Sequence, residues 1–233
     1  MTGTTTATAK PPASPTALEE LQEQINKLAR NGDLSRRNVL CFTLAAGVLA
    51  SAGVSTLARA SDAAMALIEP LGAALATLAQ NGRAPFAQRF TQFAPAVDET
   101  FDLQEILRIS VGSNWDTMNS DQQNQLLQVF RRYTVASFVA NFDKPEGQFR
   151  VTGTRDLGTQ TVVDSTIGKT TLGFVVRQTT AGWRVVDVLA DGSVSRVATQ
   201  RSDFRDALMH GGGPALIAKL QRKVSDLSGG GLA

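Results

Sequence analysis

Four short runs of β-branched and aromatic residues between positions 148 and 190 restrict the fold more than any other feature of this sequence. They read "QFRVTGT", "TQTVVDSTI", "TLGFVVRQ" and "GWRVVDVLA". The segments that separate them, "RDLG", "GKT" and "TTAG", are short and carry turn residues. Each strand must therefore return beside the one before it. The pattern predicts a meander of four antiparallel strands.

Helical patterns precede and follow these strands. Apolar residues recur at helical spacing in segments 61–80, 85–93, 98–112 and 120–142, and again in 194–208 and 214–227. A sheet with one apolar face needs a layer of helices on that face. We therefore expect an α+β fold with N-terminal helices, a four-stranded curved antiparallel sheet, C-terminal helices, and an apolar cavity between helices and sheet. A flexible tail is predicted from about residue 228.

The first 60 residues have the pattern of an export signal. Arg36-Arg37 stands directly before a moderately apolar stretch, which ends in the small-x-small triplet Ala58-Arg59-Ala60. This arrangement resembles a twin-arginine export signal of bacteria. We expect residues 1–34 to be a long leader, 35–60 to be a signal that is cleaved after Ala60, and 61–233 to be a single domain in the periplasm. An uncleaved membrane anchor and a buried core helix are the alternative interpretations of the stretch.

The domain predicted after the signal is electrically neutral and lacks the residues of several catalytic chemistries. Six of the 23 Lys and Arg and four of the 21 Asp and Glu precede Ser61, which leaves 17 of each sign. A neutral domain gives no electrostatic basis for binding nucleic acid. Cys41, the only cysteine, lies within the signal, and His210 is the only histidine. The domain is therefore predicted to have no disulfide, thiol nucleophile, metal site or cofactor.

Carboxylates and large apolar side chains remain as candidates for function. Asp164 and Asp187 interrupt strand patterns, so one hypothesis is an enzyme that uses one of them as a base beside a cavity. Alternatively, they face solvent or bond to neighbouring groups. Ten of the eleven Phe, both Trp and the only Tyr follow residue 60, and they form either a packed core or the lining of a hollow for an apolar ligand. A plain interaction module of the cell envelope is a third hypothesis.

Two segments of this domain have a spaced residue pattern that resembles a known family. In segment 101–142 the matching residues are Phe101, Asp102, Gly112, Trp115, Gln122, Phe130, Tyr133 and Phe138. In segment 182–208 they are Gly182, Trp183, Val186, Asp187, Val188, Gly192, Ser193, Arg201 and Phe204. Together with the closing "GGGPALIAKLQRK" they resemble the toluene-tolerance/MlaC family over essentially all of 61–227, and most closely its branch associated with hopanoid biosynthesis. Asp191, where a Glu is frequent, and Val135-Ala136, in place of a longer aliphatic run, depart from the pattern.

The resemblance implies a periplasmic lipid carrier that is not an enzyme. Members of the family hold phospholipid tails in an apolar cavity and leave the headgroup outside, as auxiliary components of an ABC transport pathway. The implied partners are a phospholipid or hopanoid-like lipid, an inner-membrane ABC transporter complex with its lipid-binding periplasmic subunit, and an outer-membrane lipoprotein. From the resemblance and the residue periodicity together, we expect the cavity wall to include Phe101, Trp115, Phe130, Tyr133, Phe138, Phe174 and Trp183.

Overall fold

The first described helix, α1, extends from Ser51 to Gln80. The computed structural model describes residues 51–142 and 147–232, with side chains from Arg59 onward in α1. The leader, the paired arginines and Cys41 lie outside the described residues. The sequence pattern placed the start of this helix at residue 61. Helix α1 begins at Ser51 and runs through the predicted cleavage position without a break.

Helix α1 is the central core helix of the domain. Its part from Arg59 to Gln80 is long and apolar enough to span a membrane by length and composition. However, Ala64, Ile68, Leu71 and Leu75 on one face of this helix are completely buried inside the protein. Such a buried stripe is typical of a core helix in a soluble fold.

Helices α2 (Phe86–Thr100) and α3 (Leu103–Val111) follow α1 and are separate helices. The helical pattern across 98–112 predicted one helix, and this prediction was wrong. Phe101 leaves the helix to form a parallel bridge with Val185, and the Asp102 amide donates to the carbonyl oxygen of Val185. The Asp102 side chain then accepts a hydrogen bond from the Glu105 amide at 3.0 Å and caps α3. Pairing with the sheet thus overrides the helical pattern at this point.

Helix α4 (Ser120–Asn141) and helix α5 (Arg196–Ser228) lie against each other. A reciprocal capping box between Asn119 and Gln122 starts α4. Helix α5 contains a kink where two predicted helices meet, because Gly212 has φ 60° and ψ −148°, a backbone conformation that only glycine adopts easily. Gly229, in the left-handed conformation, ends α5. Residues 229–232 form turns.

The sheet has five antiparallel strands in sequential order. They are β1 (Phe149–Asp156), β2 (Thr161–Ile167), β3 (Thr170–Thr179), β4 (Gly182–Ala190) and β5 (Val194–Ser195). The order and direction of the four predicted strands are confirmed, and the two-residue β5 is an addition. Asp191 and Gly192 both have positive φ, as a tight hairpin turn requires. The Asp-Gly pair was the sequence signal for β5.

The main core lies between the helices and one face of the sheet. Its largest fully buried side chains include Phe93, Phe130, Phe174 and Phe204. A small second cluster of Val162, Val175 and Val186 lies apart from this core. The α+β fold class is therefore confirmed.

A buried arginine connects α2 to the end of α4. The Arg89 side chain is only 4% exposed, and its Nη2 donates to the carbonyl oxygens of Val139 and Phe142, each at 2.9 Å. A cation at this position satisfies the unpaired carbonyls of a helix C-terminus and complements its dipole. It fixes the end of α4 beside the cavity described next.

Candidate functional site

A cavity of about 340 Å³ opens between the helices and the sheet. Its volume lies at the lower end of the range for small-molecule sites. Helix α4 and the following Phe142 supply one side of it, and Phe101 together with residues from α3, β3, β4 and the start of α5 supplies the rest. The apolar residues that line it are Phe101, Leu103, Ile106, Phe130, Tyr133, Phe138, Phe142, Leu172, Val188, Ala190 and Val197.

The aromatic side of the cavity comes from one face of α4 and from Phe101. One face of α4 and the following Phe142 line the cavity with residues at helical spacing, at positions 130, 133, 134, 137, 138, 141 and 142. Phe138 is at the centre of an aromatic cluster, with ring centroids 5.3 Å from Phe93, 5.7 Å from Phe101 and 6.1 Å from Phe142. Tilted and offset contacts at these distances are favourable for aromatic pairs. The wall is therefore a connected, well-packed surface.

Four of the seven predicted wall residues line the cavity together, and three lie elsewhere. Phe101, Phe130, Tyr133 and Phe138 line it. Phe174 is completely buried on β3, with its ring centroid 6.3 Å from that of Phe149. Trp115 is buried in the core just after the 3₁₀ turn Gly112–Asn114, where its carbonyl oxygen accepts from Gln123. Trp183 packs against the core from a half-buried position at the start of β4.

Several cavity residues were absent from the sequence-based prediction. Leu172 and Val188 come from the inner face of the sheet, and Arg196, Val197 and Gln200 come from the first turns of α5. The helical spacing of Val197 and Gln200 relative to the buried Phe204 was a usable signal, since positions i, i+3 and i+7 share a face. No pattern in the sequence distinguishes Leu172, which lines the cavity, from Phe174 two residues further along the same face.

Asp187 lines the cavity, but its carboxylate already accepts three hydrogen bonds from neighbouring residues. The pairing between β3 and β4 shifts register between Val175 and Val176, which leaves Val186 as an extra residue. Such a bulge redirects the neighbouring side chain. The carboxylate of Asp187 accepts from the Val188 amide at 2.7 Å, the Ser195 hydroxyl at 2.5 Å and the Val197 amide at 3.1 Å. These contacts hold the start of α5 against β4.

Asp164, the other candidate base, is part of an ion pair away from the cavity. Both of its carboxylate oxygens accept from Arg155, at 2.7 and 2.8 Å. Its neighbour Val163 belongs to the main core, so Asp164 lies on the opposite face of β2. His210 is exposed and contacts Asp206 one turn earlier on α5. Within residues 51–142 and 147–232, no group of His, Cys, Asp and Glu could hold a metal ion.

A charged cluster fixes α3, which carries Leu103 and Ile106 of the cavity wall, to the sheet. Glu105 forms ion pairs with Arg108 at 2.9 Å and with Arg177 of β3 at 3.2 Å. The hydrogen bond from Arg108 lowers the pKa of Glu105 below its ordinary value. Partial burial acts in the opposite direction, and the hydrogen bond from Arg177 adds to the lowering. The folded protein therefore favours the ionised carboxylate.

We expect Glu105→Gln to lower the free energy of unfolding at neutral pH by about 0.5–1 kcal/mol, since Arg108 is well exposed and the ion pairs are screened. A carboxyl with a lowered pKa in the folded state stabilises the fold above its unfolded pKa of about 4.3. This contribution is lost as the pH falls through the folded pKa. Urea unfolding at several pH values should therefore show the wild type and the variant converging in acid. A difference that stays constant down to about pH 3 would contradict this role.

Comparison with known families identifies the fold described above. The profile of the MlaC protein family matches residues 69–222, well over half of the chain. The chain belongs to the MlaC family. A comparison with curated proteins finds no match. The MlaC resemblance predicted from the two spaced segments is thereby confirmed, while the placement in a hopanoid-associated branch stays a prediction.

A solved structure matches this MlaC family member, and the match covers nearly all of the solved chain. It is the phospholipid-binding protein from Ralstonia solanacearum, determined in complex with a phospholipid. The two chains are 18% identical and superpose with a TM-score of 0.62, and the match covers 72% of this chain and 98% of the other. At this identity the similarity shows a shared fold.

Proposed function

We propose that this protein binds a lipid by its tails and carries it across the periplasm. The observation that carries the proposal is the cavity between helices and sheet, whose wall is mostly aromatic and aliphatic. Family membership and the fold shared with a phospholipid-binding protein support it. The ligand is a phospholipid or a hopanoid-like lipid.

The energetics of lipid transfer explain why an apolar cavity suits this task. A lipid that leaves a bilayer exposes its tails to water at a cost of about 0.8 kcal/mol per methylene, or on the order of 10 kcal/mol for one long chain. A carrier must replace that apolar environment with its own side chains. The rings of Phe101, Phe130 and Phe138 provide such surface along the cavity.

The proposed setting is the periplasm of a bacterium, reached by a twin-arginine signal that is cleaved after Ala60. The proposed partners are an inner-membrane ABC transporter complex with its lipid-binding periplasmic subunit and an outer-membrane lipoprotein. The protein is proposed to act as the carrier between them and not as an enzyme. The hydrogen bonds of Asp187 and the ion pair of Asp164 support this, because both candidate bases have structural partners.

Native mass spectrometry of the purified protein tests the proposal. We expect a co-purifying lipid, identified after extraction, at up to about one molecule per chain, because the lipid tails must occupy the cavity described above. After delipidation, the protein should take up lipid again from phosphatidylglycerol vesicles. A protein that is isolated empty and takes no lipid from vesicles would contradict a carrier function and would favour an envelope interaction module.

A further inference from the structure

Among the described residues, one cationic side chain lines the cavity. Arg196, the first residue of α5, lines the cavity and is exposed to solvent, so it lies at the mouth. Across residues 51–142 and 147–232, the Arg196 side chain forms no ion pair and no hydrogen bond. A guanidinium group in this setting keeps all five of its N–H donors available for a ligand.

The other polar groups at this end of the cavity are already engaged. The first amides of α5 are taken, because the Val197 amide donates to Asp187 and the Ala198 amide donates to the Ser195 hydroxyl at 3.0 Å. The amide group of Gln200 lies 3.2 Å from the hydroxyl of Ser110. The helix terminus is therefore capped by the protein itself, and among the described lining residues Arg196 remains as the cationic group that can bind an anion.

The carboxylate of Asp187 is hydrogen-bonded by neighbouring groups of the protein, and Arg196 is not among its donors. Three donors converge on the Asp187 carboxylate, from Val188, Ser195 and Val197. Asp187 and Arg196 form no ion pair with each other in the part of the chain that the structure describes. Asp187 thus positions the first turn of the helix that carries Arg196, and Arg196 has no ion-pair partner among the described residues.

We infer that Arg196 binds the phosphate of the lipid headgroup at the cavity mouth. It thereby selects phospholipids over lipids that have the same tails and no phosphate. The planar guanidinium matches two phosphate oxygens at once, and such charge-assisted hydrogen bonds are about twice as strong as neutral ones. This inference rests on the proposed function, because the tails must occupy the apolar cavity for the phosphate to reach its mouth. It assigns a phospholipid, rather than an uncharged hopanoid-like lipid, as the preferred cargo.

A competition between two bilayer-forming lipids tests the inference. Full-length, delipidated protein is equilibrated with vesicles of equal parts phosphatidylglycerol and digalactosyldiacylglycerol that carry the same acyl chains. The ratio of the two lipids bound to the re-isolated protein is then measured by mass spectrometry. We expect the wild type to favour phosphatidylglycerol by roughly tenfold or more. Arg196→Gln should bring the ratio close to that of the vesicles, because the variant loses affinity for phosphatidylglycerol and not for the galactolipid, and Arg196→Lys should lie between.

The matched control is Arg205→Gln, which removes the same charge from an exposed position on the same helix that does not line the cavity. It should keep the wild-type ratio. A wild-type preference that survives Arg196→Gln, or a wild type without preference, would overturn the inference. If neither lipid binds to any of the proteins, the carrier function itself fails. If ³¹P NMR shows inorganic phosphate binding that depends on Arg196 while the lipid ratio does not, the site serves free phosphate and the headgroup role is overturned.

Discussion

Replacing Val188 by tryptophan is expected to empty the cavity of lipid while the domain stays folded. Val188 lines the cavity from the inner face of β4, opposite Phe174 in the strand register. A larger ring at this position occupies the space of the lipid tail. The loss of only about 1.4 kcal/mol of binding free energy lowers affinity tenfold. We therefore expect the variant to bind less than about a tenth of the lipid that the wild type binds. The measurement is bound lipid per chain after equilibration with phosphatidylglycerol vesicles.

The neighbouring residue provides the control for this substitution. Leu189 is also partly buried, but it packs against the second cluster of Val162, Val175 and Val186, on the other face of the sheet. Leu189→Trp therefore enlarges a side chain on the same strand without entering the cavity. Overpacking costs about 1–3 kcal/mol of stability in either variant. Equal lipid loss in both variants would mean that β4 does not present Val188 to the lipid.

Phe174→Ala is expected to reduce the free energy of unfolding by about 3–5 kcal/mol, as for other fully buried phenylalanines. The Phe174 side chain is completely buried on β3 between Val163 and Val188 of the adjoining strands, and it contacts Phe149. For a domain of this size, the melting temperature should drop by roughly 6–20 °C. The loss should be similar in lipid-free and lipid-loaded protein, because the cavity does not include this residue.

Phe138→Ala is the comparison for this prediction. Phe138 lines the cavity and is only partly buried by the surrounding protein. Its removal should cost the lipid-free protein less than the removal of Phe174, since part of its surface is free to contact a ligand. Phe138→Ala should also lower the amount of bound lipid more than Phe174→Ala does. If both variants lose the same stability and the same amount of lipid, the division between core and cavity wall is wrong.

The order and type of most elements could be predicted because they depend on local periodicity. The meander from Phe149 to Ala190 follows directly from strand runs and short turns. The long α4 follows from its apolar stripe. The prediction failed where a tertiary contact overrode the local pattern, because the pairing of Phe101 with Val185 divides a helical segment in two. It also missed β5, which forms after an Asp-Gly turn that was not recognised in the sequence.

The cavity was only partly predictable for a related reason. Periodicity assigns a residue to a face of a helix or strand, but it does not give the distance between the two layers at that point. Leu172 and Phe174 share the inner face of β3, yet Leu172 lines the cavity and Phe174 is sealed in the core. The aromatic residues of α4 were found because one whole face of that helix borders the cavity.

The sequence by itself determined the α+β class, the meander, the equal number of acidic and basic residues after residue 60 and the family, because these depend on residue pattern and composition. Only the tertiary structure decided which apolar residues surround a hollow and which form the core, because that depends on how far helices and sheet stand apart. It also decided the role of Asp187. The bulge at Val186 turns this carboxylate toward the start of α5, where it holds Arg196 at the cavity mouth. The register shift depends on pairing between strands, and no local sequence pattern specifies it.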